Sequence, residues 1–599
     1  MKCQLNRLRA LGEKIVDHFQ YNCIAKMSLI LTLGSSSARI SAIKLSILSV
    51  FILCIARLWA QPLGCPSSIN VALFDPQIRA PEVSIPSRNR TYQDHSSSCV
   101  FSSSETFINW SGSIATDIPI MYPKDDTQLR SILVQARACG IKVRPAGTKH
   151  SIGGVVHDNA ISTRSRTIVV SLAEYTPPAE WDGVIDETRV RIGAGRTFLD
   201  LMALARPHQL LMKTQTAGLI FSVGGVLMNP SAHGSTLESE RLCSLLSGLR
   251  VMLANGTIVD IRDDPLEVRK WRGSLGLLGM VTAVQIDMRQ DTGLAMTSFE
   301  RSLPHWTFED FKRVIEPSLE HNNAAEYFVD VFTDTITGLE MNFSHGDMKD
   351  ASSTSKYYRD LQETNPDLAK TGATIVTLRS RLANWGANLF KSLLPSGWGL
   401  PYWRSRVMSK ILLQLGVRDA FTYAAETTRD GYYVVPNEAM KFNNLQTFIK
   451  CREPSLCLHE QFEALTRTRQ ILLHESNDFD QLPMFVVEWR LVKIERDTLV
   501  LEHLSPGTWI SFEIVTLGSP AVDYDVYSKL ERAWQGVGEE FGVHHGKAFG
   551  FRDTKRFPTG FAELGRIYSA DVKDRFRSLM AEYDPEGLFA SGAAMEMLA

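Results

Sequence analysis

The apolar positions of this chain change period repeatedly beyond about residue 110, and each change marks an element. The run TQLRSILVQARA from Thr127 to Ala138 has helical spacing, with Asp125 and Asp126 as candidate caps and Gly140 as the stop. Ile141–Pro145 reads as a strand that enters a glycine-containing loop, and Thr167–Leu172, Arg189–Ile192 and Arg250–Ile261 supply further strand pattern. Gly193-Ala194-Gly195 opens a helix over Thr197–Ala205. Short β-rich runs alternating with helical ones predict an α+β domain over 107–290 rather than a doubly wound sheet. From 295 to about 535 the pattern predicts helical stretches, longer loops and late strands around Met484–Val492 and Thr508–Val515, the body of a second domain over 291–540. Residues 541–599 return to glycine- and turn-rich chemistry, and no internal repeat is present.

Composition widens this picture at the N-terminus. The 599 residues, 44% hydrophobic and 22% charged, suffice for two or more domains with a large core. A formal charge of -2 gives no global basic field, so nucleic acid is not an expected partner. Between Lys44 and Arg57 lie twelve uncharged residues, LSILSVFILCIA. That is short for a membrane-spanning helix but matches the apolar core of a signal peptide. Residues 1–60 are therefore expected to be a signal peptide or a signal-anchor that sends the chain to the secretory pathway, and 61–106 a Ser- and Pro-rich arm. Six cysteines follow the segment: Cys65, Cys99, Cys139, Cys243, Cys451 and Cys457. An even count permits disulfides in an oxidising compartment, and Cys451 with Cys457 would close a short loop. No CxxC pair suggests zinc. Glycosylation triplets begin at Asn89, Asn109, Asn255 and Asn342, although Asn255-Gly256 reads equally well as a hairpin turn.

Candidate chemistry sits in the loop Arg144-Pro145-Ala146-Gly147-Thr148-Lys149-His150-Ser151. A strand ends, Pro145 fixes a turn, and Gly147 lets backbone approach a ligand, so main-chain N–H groups and hydroxyls can cradle a pyrophosphate. Alone, such a loop is an ordinary turn and His150 an ordinary histidine. Three more segments change that: Val223-Gly224-Gly225 before Ser231-Ala232-His233-Gly234-Ser235, Gly193-Ala194-Gly195, and Gly276-Leu277-Leu278-Gly279-Met280-Val281 before a strand.

Together these motifs resemble the FAD-binding domain of the vanillyl-alcohol oxidase superfamily, and within it the aldonolactone oxidase and alditol oxidase branch. The resemblance covers about 107–290 and returns near the C-terminus at Asp584-Pro585-Glu586-Gly587-Leu588-Phe589. It implies a two-subdomain PCMH-type FAD-binding domain plus an α+β substrate (cap) domain. It implies FAD held by Pro145, Ala146, Gly147, Thr148, Lys149, His150, Ser151, Val223, Gly224, Gly225, Ser231, His233, Gly234, Ser235, Gly276, Gly279, Met280 and Val281. His150 stands where the family joins a histidine to the flavin 8α-methyl; non-covalent binding, as in some relatives, is the alternative.

The same branch uses a Glu-x-Arg pair and a lysine from a His-Trp-x-Lys segment. Glu488-Trp489-Arg490, followed by Leu504-Ser505-Pro506, matches the first, and strand alternation puts Glu488 and Arg490 on one face. Without the resemblance this is an ordinary cross-strand ion pair. The second reads Val543-His544-His545-Gly546-Lys547, with His545 where tryptophan is usual. The implied activity is oxidation of a CH–OH group in a small sugar-derived lactone or polyol, with Arg490 and Lys547 steadying an alkoxide and Glu488 orienting Arg490 and holding a substrate hydroxyl; a partly neutral Lys547 acting as base is the alternative. Oxygen is the expected acceptor; a dehydrogenase with another acceptor, or a non-catalytic flavin- or carbohydrate-binding protein, are the rivals. One segment stands apart: from Leu368 to Arg418 there are eight Lys or Arg and no Asp or Glu, with Trp385, Trp398 and Trp403. It reads as a basic helical insertion, either packed on the cap or in contact with an anionic membrane surface.

Overall fold

The computed structural model describes the chain from Arg90 to Asn342 and from Asn443 to Ala590, with short interruptions of which 548–567 is the longest, together with Leu598. The 1–60 segment, most of the 61–106 arm and the 368–418 insertion lie outside the described residues. Within them, no helix is long and apolar enough to cross a membrane.

A hairpin of β1 (Arg90–Gln93) and β2 (Val100–Ser103) leads into a four-stranded sheet. That sheet holds β3 (Thr106–Ile108), β4 (Ala115–Met121), β5 (Lys142–Ala146) and β6 (Thr167–Ser171) in the order β3-β4-β6-β5, with β4, β6 and β5 parallel. Helix α1 (Asp126–Ala138) supplies the crossover. Asp125 caps it by accepting from Gln128 N, and Gly140 at φ +63° ends it while Ile141 N returns to Ala136 O. A disulfide joins Cys139, just past the helix, to Cys99.

The second sheet carries β7 (Gly183–Asp186), β8 (Arg189–Gly193), β9 (Leu210–Met212), β10 (Leu246–Met252), β11 (Ile258–Arg262) and β12 (Met280–Gln290), ordered β11-β10-β12-β8-β7 with β9 on β12. Helices α2 (Phe198–Ala205), α3 (Val223–Leu227) and α4 (Pro265–Trp271) accompany it. Thr197 and Asp200 form a reciprocal capping box, which is why the glycine turn at 193–195 runs straight into α2. The Asn255-Gly256 turn joins β10 to β11 as a hairpin.

The cap departs from the expected pattern. Strands β13 (Ala295–Ser302), β14 (Ala324–Asp330) and β15 (Thr335–Asn342) precede the late ones, and β16 (Asn443–Lys450), β17 (Phe485–Ile494), β18 (Gly507–Thr516) and β19 (Phe541–Val543) complete one seven-stranded antiparallel sheet, ordered β13-β15-β14-β17-β18-β16-β19. Before residue 368, where the pattern predicts helical stretches and longer loops, the chain contributes three strands. Helices α5 (Phe308–His321) and α6 (Cys457–Asp478) cover one face, where Tyr327, Trp489, Phe512 and Ile514 join a buried core. Cys451 and Cys457 are joined at the start of α6. Helix α7 (Ala570–Tyr583) returns to the first domain, burying Val572, Phe576 and Met580 in its core.

One further expectation is corrected. Asn109 is 1% exposed and donates from Nδ2 to Ser151 O at 3.1 Å, so it is a structural side chain rather than a glycan acceptor.

Candidate flavin cleft and the polar face above it

The glycine motifs converge on one open cleft. The 145–151 loop leaves the end of β5, the 194–195 turn leaves β8, the 222–225 turn starts α3, and 275–281 enters β12. Pro145, Ala146, Gly147, Ser151, Gly224, Gly225, Gly276, Gly279, Met280 and Val281 line it, joined by Ala194, Gly195, Ser222, Met228 and Asn229.

The walls are main chain because side chains do not fit. A Cβ on Gly147 would stand 1.8 Å from Ser222 Oγ, one on Gly224 2.7 Å from Ala194 Cβ, and one on Gly195 2.0 Å from Leu172 O. Gly276 has φ +65°, and its Cβ would meet Pro145 Cγ at 2.4 Å. The result is a trough of backbone amides and small hydroxyls, the surface that a dinucleotide's phosphates need. Arg144, fully buried, anchors its floor by donating to Leu275 O and Phe589 O at 2.9 Å each. Burial pulls its guanidinium down to about 10, still a cation at neutral pH.

The other predicted flavin residues surround the cleft without lining it. Thr148 Oγ1 accepts from Ser222 N at 3.3 Å and ties two loops together. Lys149 takes φ +61°, and its carbonyl accepts from Trp110 N at 2.8 Å. The His150 ring stacks on Trp110 at 4.8 Å and meets the edge of Phe221 at 4.8 Å. Val223 is buried in the first core, Ser231 and His233 turn toward the cap as described below, and Gly234 O accepts from His233 Nδ1 at 2.8 Å. Ser235 lies outside the described residues.

Above this loop cluster stands the second face of the cap sheet. Register pairs Glu326 with Arg490, Glu488 with Glu513, Arg490 with Ser511, and Gln446 with Glu513, so all of them, with Asn444, share one face while their neighbours Trp489, Phe512 and Leu445 form the core behind. Arg490 Nη2 is 2.8 Å from Glu488 and 3.4 Å from Glu513. Lys547 Nζ is 2.6 Å from Glu513 Oε2, and Asn444 Nδ2 donates to the other oxygen of Glu513. The sheet thus brings Glu488, Arg490 and Lys547 together, as one cluster with two residues the sequence reading did not name, Glu513 and Glu326. Alternation puts Glu513 on one face with Ser511, and Gln446 with Asn444, but nothing within a segment joins them to Arg490.

The two carboxyls differ in charge. Burial pushes Glu488 well above the usual carboxylate range; Arg490 opposes this, and Glu326 and Glu513 add to it. Burial also opposes the charge of Glu513, but Lys547 and Arg490, with hydrogen bonds from Lys547 and Asn444, outweigh it and hold its carboxyl below the usual range. Although Arg490 is nearer to Glu488, Glu513 is the anion, because only it is hydrogen-bonded by Lys547 and by an amide donor. Glu488 is the neutral acid.

Histidines join this face to the flavin domain. His233 gives Nδ1–H to Gly234 O, so Nε2 receives Gln446 Nε2 at 2.7 Å and lies 3.0 Å from Ser511 Oγ. Burial, then Arg490, holds it well below its ordinary value and neutral. His545, fully buried, bonds Ser231 Oγ through Nδ1 and the Tyr568 hydroxyl through Nε2, and burial pushes it down to about 3. The Lys547 segment runs against the cleft: a Cβ on Gly546 would stand 3.0 Å from Asn229 Nδ2 and 3.3 Å from Ser151 Oγ, both on lining residues.

Comparison with known proteins agrees with this geometry. Residues 119–262 match the family model of the FAD binding domain. Among solved structures, cholesterol oxidase from B. sterolicum superposes with a TM-score of 0.61 at 14% identity, over 82% of this chain and 96% of that one. A solvent-stable cholesterol oxidase gives 0.60 at 15%, over 82% and 97%. Xylooligosaccharide oxidase from Myceliophthora thermophila in complex with xylobiose gives 0.50 at 14%, over 81% and 93%. At such identity the likeness concerns the fold. The fold is thus the PCMH-type FAD-binding fold with an α+β cap, and the chain binds FAD.

Proposed function

We propose that the chain is an FAD-dependent oxidoreductase that oxidises a CH–OH group of a small polyhydroxylated, sugar-derived molecule, a lactone or a polyol, with oxygen as acceptor. One observation carries this reading: the cap face beside the flavin cleft is a polar cluster of buried Arg490, Glu513, Glu488 and His233 with part-exposed Lys547. Such a surface offers hydrogen bonds to several hydroxyls, whereas an apolar substrate would take water from its polar groups and return no hydrogen bond.

FAD when bound supplies the hydride acceptor. Arg490 and Lys547 place preformed positive charge where negative charge develops on the substrate oxygen, as the hydride leaves its carbon and the hydroxyl proton passes to the solvent that reaches the part-exposed Lys547. Neutral Glu488 donates its proton to a substrate hydroxyl and keeps a carbonyl oxygen for Arg490. Neutral His233, locked as the Nδ1–H tautomer, keeps Gln446 and Ser511 in place. His150 would hold the cofactor through a covalent bond; its ring, fixed between Trp110 and Phe221, supports this. Acid-precipitated protein is then expected to stay yellow, and free flavin in the supernatant would remove the bond but not FAD binding. The two disulfides support passage through the oxidising secretory pathway.

The deciding experiment is anaerobic mixing of the flavin-loaded protein with a panel of alditols, aldonolactones, oligosaccharides and a sterol, followed by the flavin absorbance. Fast bleaching by a polyol or lactone is expected. Bleaching by the sterol alone would overturn the substrate class, and failure of air to restore the colour would replace oxygen by another acceptor.

A further inference from the structure

The lysine of this site has a partner that the motif pattern did not announce. Glu513 lies on β18, opposite Glu488 and Gln446 on the flanking strands, and is 4% exposed. Both of its oxygens are engaged: Oε2 lies 2.6 Å from Lys547 Nζ and 3.4 Å from Arg490 Nη2, and Oε1 accepts from Asn444. We infer that Glu513 is a positioning residue that holds Lys547 as a fixed ammonium ion at the mouth of the flavin cleft and sets its spacing from Arg490.

The groups facing Lys547 leave this task to Glu513. On β17, Glu488 is kept protonated by burial and Arg490 is a like charge. On β14, Glu326 is the direct cross-strand partner of Arg490, with β17, β18, β16 and β19 between it and the Lys547 segment in the sheet order. On β16, Asn444 and Gln446 are neutral, as is Ser511 on β18. His233 from the flavin domain, His544 and His545 from the lysine's own segment, and His503 behind them are all held neutral, in each case first by burial. The carboxylate of Glu513 therefore balances Lys547 and Arg490 together. An amine clamped 2.6 Å from a carboxylate stabilises developing negative charge and does not abstract a proton, which decides between the two roles open to a lysine at such a site.

The inference rests on the proposed reaction for its kinetic part but not for its pairing. Three variants, Glu513→Gln, Glu513→Asp and Lys547→Met, are compared with the parent after each is shown to retain flavin. Competitive acetylation of Lys547, read by peptide mass spectrometry from about pH 7 to about 11, needs no substrate. In E513Q the amine, released from its carboxylate, is expected to be acetylated about tenfold faster than in the parent, and in E513D close to the parent. With the substrate that bleaches flavin fastest, E513Q is expected to slow flavin reduction about tenfold or more, while E513Q added to K547M changes nothing further. Superimposable acetylation profiles in E513Q and parent, or equal slowing of parent and K547M by E513Q, would overturn the inference. If no substrate bleaches the parent, the proposed reaction fails and the acetylation profiles still decide the pairing.

Discussion

The flavin cleft and the polar face of the cap sheet are built by opposite means. The cleft is a surface of absent side chains: Gly147, Gly195, Gly224 and Gly276 let four turns approach until one added carbon would overlap a neighbour. The cap face is a surface of present side chains, on four strands and the segment after β19, whose backbone only fixes their spacing. The first depends on shape and the second on charge, so the same size of change should act on binding in one and on rate in the other.

The largest effect is expected where the cleft is least forgiving. Gly195→Ala puts a Cβ 2.0 Å from Leu172 O and 2.4 Å from its carbonyl carbon, which are backbone atoms that no rotamer change can move. The variant is expected to lose about 1–3 kcal/mol or more of stability from overpacking and most of its flavin, measured as the ratio of visible to ultraviolet absorbance after purification. Full flavin content in G195A would mean that the turns adapt, and the contrast with the cap would weaken.

Next comes Lys547→Met, which removes a charge but keeps the volume of the stem. Flavin content should match the parent, and anaerobic flavin reduction should fall about a hundredfold, roughly 3 kcal/mol, with substrate affinity changed much less. Loss of affinity with an unchanged limiting rate would make Lys547 a binding group only.

This division also explains what the sequence disclosed. Glycine loops are local, so Gly147, Gly224, Gly225, Gly276 and Gly279 stand where a reading of single segments expects a cofactor trough, and Asp125, Gly140 and Thr197 announce their helix ends. The Glu488–Arg490 pair was legible because strand alternation is local too. Glu513 and Glu326 were not, because their proximity to Arg490 comes from the β14-β17-β18 register, which no segment contains. The departure at His545 likewise depends on distant partners, Ser231 and Tyr568, which occupy both ring nitrogens. Strand β14 was missed because it is buried along its whole length, so its sequence AAEYFVD carries apolar residues on both faces and shows no period of two.

The smallest effect is expected at the most conspicuous residue of the motif. Glu488 is buried, and burial keeps its carboxyl well above the usual range, so at neutral pH it presents an O–H and a carbonyl oxygen rather than a charge. Glutamine has the same shape, retains an oxygen for Arg490 Nη2 and offers N–H where the acid offered O–H. Glu488→Gln should therefore change flavin reduction by less than about threefold, under 1 kcal/mol. The pH dependence of stability gives a second, independent sign. A carboxyl whose folded pKa is raised binds its proton more tightly in the native state than in the unfolded chain, where it titrates near 4.3. Its contribution is thus fully present below that value and is lost as pH rises through the folded one. E488Q has no such proton to lose, so its stability relative to the parent should rise with pH across that window, as followed by urea unfolding at a series of pH values. A hundredfold slower E488Q, or a relative stability that falls with rising pH, would make Glu488 an anion and the true partner of Arg490. Glu513 would then lose its place as the charge that organises the cap face.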